Sequence, residues 1–212
     1  MDYPAFARSE RIADALVHAL AVTLALCGTI LLIVLASPRL GGSRVAALSI
    51  YGGAMSFSFI ASLFYHFTPW ERLRPSLQRL DHAAIYVKIA GTYTPLVVML
   101  GSVFGYVVLA VVWVLALIGA AAKLFFWRAA GRYSTTLYLL LGWMSLLLAL
   151  SLMQVLPMTA LILIGLGGAL YTAGTLFFSW EDLKYAMAIW HGFVLAGSGC
   201  FFAAISIGAF AA

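Results

Sequence analysis

Charge is what this sequence has least of. Only 9% of its 212 residues are Asp, Glu, Lys or Arg, against 65% hydrophobic residues, and the mean hydropathy is +1.07. A water-soluble domain carries about 25% charged residues, so this chain cannot cover a surface that faces water. Cysteine is also scarce. Cys27 and Cys200 both lie inside apolar runs, which excludes a disulfide framework and a zinc knuckle. No short apolar core with a small-residue cleavage site opens the chain, and Met1 to Arg11 is polar, so no signal peptide is expected.

What is present is a succession of apolar runs, each long enough for a helix to cross a bilayer, which takes about 20 residues. They cover residues 13–36, 45–67, 80–100, 104–127, 134–155, 157–180 and 185–210. The expected fold is an all-α integral membrane protein, a seven-transmembrane helix bundle forming one domain over 1–212. Pro95 is expected to kink the third span, with Thr92, Tyr93 and Thr94 near the carbonyl it frees. Gly165, Ala169 and Ala173 are expected to form a small-residue packing face on the sixth.

With the N-terminus inside, the inner segments hold Arg8, Arg11, Arg72, Arg74, Arg79, Lys123, Arg128, Arg132 and Lys184, and the outer ones only Arg39 and Arg44. The positive-inside rule then predicts a cytoplasmic N-terminus, an outside C-terminus and a multi-pass protein of the plasma (inner) membrane. The net charge of +5 comes from these short loops, so the expected partner is membrane lipid and not nucleic acid.

The same topology puts all four histidines and all seven acids on the inner side. Ionisable groups at membrane depth are costly and mark function by default. Ser58, Ser62 and His66 are four apart and share one helix face. Asp81 opens the third run, as a helix cap or as a site carboxylate, while its neighbour His82 points about 100° away. His191 lies just inside the last span. Two histidines, one carboxylate and an open position would serve hydrolytic zinc chemistry. A hydrogen-bond network without metal uses the same residues.

Longer motifs now come into view: Glu10-Arg-Ile-Ala-Asp14 with His18; Ser62-Leu-Phe-Tyr-His66; Leu80-Asp81-His82 running through Tyr86 to Ala90-Gly-Thr-Tyr-Thr-Pro95; Gly142-Trp143; Gly167 to Tyr171 with Gly174; and Ala188-Ile-Trp-His191 running to Ser198. Over nearly its whole length the chain resembles the hemolysin III family, the bacterial branch of the progestin and adipoQ receptor group within the CREST membrane hydrolases. The resemblance implies seven helices, a cytoplasmic N-terminus and a zinc ion near that face. It implies His66 and His191 as metal ligands, with Asp81 as general base and Ser62 orienting a water.

The chain departs from the family pattern at Met187, which stands where a further ligand histidine of the last span is usual, and at Phe201, another usual histidine. Three outcomes follow: coordination by Asp81, a metal shifted toward His18 or His82, or no stable metal. Asp14 replaces a usual Asn, and Lys88 an apolar residue, which suggests an Asp14–Lys88 ion pair. Three functions compete: a zinc-dependent hydrolase of a lipid amide or ester such as a ceramide-like molecule, a non-catalytic membrane-lipid sensor or regulator, and a pore-forming hemolysin. No span carries the polar stripe an aqueous channel needs. A transporter would show an inverted repeat, and none is seen.

Overall fold

The structure, a computed structural model, describes residues 7–126, 134–180 and 182–211. The described residues contain helices and turns and no strand. The helices are α1 (Arg8–Ala36), α2 (Gly42–Phe67), α3 (Arg74–Leu100), α4 (Val103–Phe125), α5 (Ser134–Trp143), a 3-10 turn (Met144–Leu148), α6 (Ala149–Leu152), α7 (Met158–Phe178) and α8 (Ala186–Ala211). Seven stretches are long and apolar enough to cross a membrane, with α5 to α6 acting as the fifth span and α8 as the seventh. The expected end of the fourth span at Trp127, and the cations Arg128 and Arg132, lie outside the described residues.

Each helix sorts its residues by what it must face. On α4, Val108, Val112, Ala116 and Ala120 recur every fourth residue and are buried. Val107, Val111, Leu115 and Ile118 on the opposite side are exposed. In water that outer face would be prohibitive, and in hydrocarbon it is the ground state. On α1 the buried stripe is Ala21, Ala25, Leu32 and Ala36, while Leu16, Leu20, Leu24 and Leu31 turn outward. Small inner residues allow the close backbone approach on which helix association in lipid depends.

Several helix boundaries move for identifiable reasons. The helix α1 starts one turn before the expected span because the Glu10 carboxylate caps the Ala7 N–H at 2.9 Å. Similarly, α3 begins at Arg74 with Pro75 in its first turn, where a proline lacks only a hydrogen bond that no residue there makes. Asp81 therefore lies two turns inside α3 and is not a helix cap. The helix is continuous through Pro95, and Thr92 and Thr94 donate to the carbonyls of Lys88 (2.8 Å) and Ala90 (3.0 Å).

The fifth span is not one helix, contrary to expectation. The Tyr93 hydroxyl points at the carbonyls of Leu141 (2.9 Å) and Gly142 (2.8 Å). A side chain inserted into the helical ladder breaks it, and the chain tightens into the 3-10 turn Met144–Leu148. The packing face of α7 also differs. Gly165 and Ala169 are exposed, and Gly167 and Gly174 are the positions that meet α8. A methyl group on Gly167 would lie 2.8 Å from the Phe201 ring, and one on Gly174 would lie 2.9 Å from Phe193 Cβ.

The α2–α3 seam is closed midway along both helices, where a methyl group on Gly91 would lie 2.7 Å from Ala54 Cβ. No such obstacle surrounds Gly53, with nothing within 4 Å. Gly91→Ala is therefore expected to destabilise the bundle by about 1–3 kcal/mol, the range for overpacking. Gly53→Ala should be neutral or stabilising by up to about 1 kcal/mol, since alanine loses less entropy in a helix. Thermal unfolding of both variants in detergent checks the contrast.

Candidate metal centre at one end of the bundle

The start of α1, the end of α2, the start of α3 and the start of α8 meet at one end of the bundle. The described cations Arg8, Arg11, Arg72, Arg74, Arg79, Lys123 and Lys184 belong to this end, and Arg39 and Arg44 to the other. The backbone here is held by a long-range clamp. Glu10 on α1 accepts the Tyr185 N–H at 2.9 Å, just before α8 begins. Tyr185 is the one non-glycine residue with positive φ (64°) among the described residues. Such backbone strain persists only where the surroundings impose it. The clamp sets where α8 enters and therefore where His191 lies.

Within this end, three imidazoles converge from three helices. His18 on α1, His66 on α2 and His191 on α8 each offer a ligand atom, all within 4.8 Å of one another. Their ring centroids are 4.2 Å (His18–His191), 4.7 Å (His66–His191) and 5.2 Å (His18–His66) apart. Asp14, one turn before His18, binds them together. Its Oδ1 accepts from His191 Nδ1 at 2.7 Å and lies 3.4 Å from His18 Nδ1, while Oδ2 lies 3.9 Å from His66 Nδ1. Asp14 is 6% exposed, His18 2% and His66 5%.

These contacts assign tautomers. His191 donates through Nδ1 to Asp14, and His18 donates through Nδ1 to the Asp14 carbonyl at 2.9 Å. Each ring then keeps its Nε2 lone pair. A carboxylate behind the far nitrogen is the usual way a metal-binding histidine is oriented and made more basic. Two buried imidazoles and one half-buried one, backed by one acid, fit zinc, which takes nitrogen donors and leaves a position open at catalytic sites. The His18 Nε2 edge meets the Ser62 hydroxyl at 3.2 Å.

The structure brings Ser62, His66 and His191 together, as expected from their positions, and adds His18 and Asp14 at the centre. Asp81 is buried beside them and interacts with Ser62 and His18, outside the three-histidine group. Met187 and His82 are not part of that group either. Met187 lines a cavity of about 10 Å³ together with Asp14 and His66. His82 feels the charge of Lys123, acts on His66 only at a distance, and gives its carbonyl to the Tyr138 hydroxyl at 3.2 Å. The expected Asp14–Lys88 ion pair is not formed. The Asp14 carboxylate is turned to the histidines, while Lys88 Nζ stands over the rings of Phe59 (4.4 Å) and Tyr171 (5.1 Å). The signal for His18 was its spacing four residues after Asp14, which puts both on one face of α1.

Comparison with known proteins agrees with this architecture. The family described as Haemolysin-III related matches residues 6–202. A protein named Hemolysin-3 homolog from Bacillus subtilis (strain 168) is 35% identical over 198 residues, covering 93% of each chain. Hemolysin-3 from Bacillus cereus is 38% identical over 194 residues, which is 91% of this chain and 89% of its own length.

Because Asp14 serves three rings, Asp14→Ala should lower stability by on the order of 3 kcal/mol, the scale for stranding buried partners of a charge. Asp14→Asn should lose less, since the amide oxygen still accepts from His191 Nδ1. Equal losses in thermal unfolding of the two variants would contradict the hydrogen-bonding role.

Proposed function

The chain belongs to the Haemolysin-III-related family, and from that premise we propose that it is a zinc-dependent hydrolase of a lipid amide or ester. The observation that carries this reading is the convergence of His18, His66 and His191 on one buried point behind a shared carboxylate. In it, His18 takes the place that Met187 leaves unfilled. A thioether is a poor zinc ligand, and an imidazole arriving from α1 restores the number of nitrogen donors to three.

Zinc held there supplies Lewis acidity toward a carbonyl. The chain's own residues do the rest. Asp14 fixes the imidazole tautomers. Ser62 sits between His18 and Asp81 and would orient the attacking water, whose proton Asp81 accepts and returns to the amine or alcohol that leaves as the C–N or C–O bond breaks. A cavity of about 1760 Å³ runs along this site, lined by Ser62, Asp81 and His191, and admits a long lipid. Apart from Lys88, midway along α3, the buried charged groups and histidines of the described residues gather at one end instead of running through the bundle, which favours a closed site over a pore. The cations at the histidine end favour a cytoplasmic N-terminus, an outside C-terminus and insertion in the plasma (inner) membrane. The substrate then enters from the inner leaflet.

A second reading, a membrane-lipid sensor without catalysis, is favoured by one observation. The His191–Asp14 and His18–Ser62 hydrogen bonds hold the cluster together without an ion. Metal analysis of purified protein separates the two. The hydrolase reading expects about one zinc per chain, at least about tenfold weaker retention in His18→Ala, His66→Ala and His191→Ala, and normal retention in Met187→Leu. Lipid-amide turnover should stop with chelator. Retention untouched by His18→Ala would sink the ligand set, and metal-loaded protein without turnover would leave the sensor.

A further inference from the structure

Lys88 is a buried cation of the cavity wall that this chemistry leaves unused. It sits on α3, 8% exposed, in the wall of the large cavity. No described carboxylate lies within 4.0 Å of its ammonium: Asp14 is turned to the three histidines and Glu71 pairs with Arg74. Asp81, seven positions earlier on α3, acts on Lys88 only across a gap. The faces of Phe59 and Tyr171 offer a cation–π contact, which offsets only part of the cost of burying an ammonium without a counter-ion. The Tyr171 hydroxyl is committed elsewhere, to Ser198 Oγ at 2.8 Å.

The same cavity continues past Lys88 along an apolar wall that includes Leu96, Leu148, Leu152 and Ile164. Leu96 is eight positions further along α3, about 12 Å by helical rise. An occupant that satisfies both parts carries one negative charge at its head and a long hydrocarbon tail. A single ammonium balances a monoanion. A dianionic phosphate would leave charge unmatched, because the other cations lining the cavity, Arg11, Arg74 and Lys184, belong to the element ends at its mouth.

We propose that Lys88 anchors the carboxylate of a single-chain lipid, with Phe59 and Tyr171 flanking the head and the tail lying against the apolar wall. The site shares its cavity with the histidine cluster but does not rest on metal-dependent hydrolysis. Its test is binding of radiolabelled oleate to the full chain purified in detergent, with oleyl alcohol as competitor and with or without chelator. Oleate should bind saturably, resist displacement by oleyl alcohol and bind equally after chelation. Lys88→Met and Lys88→Gln should each weaken it at least about tenfold, and Lys88→Arg should keep most of the affinity. Lys88→Met should melt no lower than the parent, because it removes an uncompensated buried charge.

Unchanged oleate affinity in the methionine and glutamine variants overturns the proposal. So does competition by the alcohol as effective as by oleate itself. Binding that chelator abolishes while Lys88→Met preserves it places the carboxylate at the histidines and overturns it too. None of these outcomes bears on whether lipid amides are cleaved.

Discussion

The arrangement depends on one buried carboxylate. A charged group inside a membrane bundle survives only with partners that repay its lost hydration, and Asp14 has three, each from an imidazole. Two of those rings come from other helices. The cost of leaving Asp14 unpaired therefore draws the ends of α1, α2 and α8 to a common point. A hydrophobic core would hold the helices side by side. It would not choose which side chains meet, because lipid tails and leucine are equally apolar.

Around that point the bundle is shaped to let it form. Small residues on α1, α2 and α3 allow close approach, and the Ala54–Gly91 contact brings α2 against α3 midway along both helices. Glu10 holds the start of α8 through the Tyr185 backbone. On the far side of the cavity the break in the fifth span serves the opposite end. By giving carbonyls to Tyr93, that span loses helical regularity and leaves its wall of the cavity less closely packed than the α2–α3 seam. One side of the bundle is closely packed and polar, and the other is apolar and more loosely packed.

Most of the fold was legible as text. The seven spans follow from run length against bilayer thickness, and most boundaries fall within a few residues of the helices. The misses have local causes. The 3-10 turn after Trp143 depends on a tyrosine 50 residues away in sequence, and no local pattern carries that information. The α7 packing face was read as Gly165 to Ala173 because those residues recur at helical spacing. Gly167 and Gly174 have the same property, and only the position of Phe201 and Phe193 chooses between the two faces.

The site divides in the same way. The cost of membrane-buried charge pointed to His66, Asp81 and His191 at one end of the bundle, and helical spacing with the family resemblance added Ser62. The sequence by itself determined that these groups exist, at what depth, and that water could not cover the chain. The tertiary structure alone decided which of them touch. It put Asp14 with the histidines instead of Lys88 and brought in His18 as the third ring. It also left the Lys88 ammonium facing aromatic rings across a cavity. Depth follows from position along one helix, but a contact depends on the rotation of two helices about their own axes. That rotation is set by every residue along their shared seam.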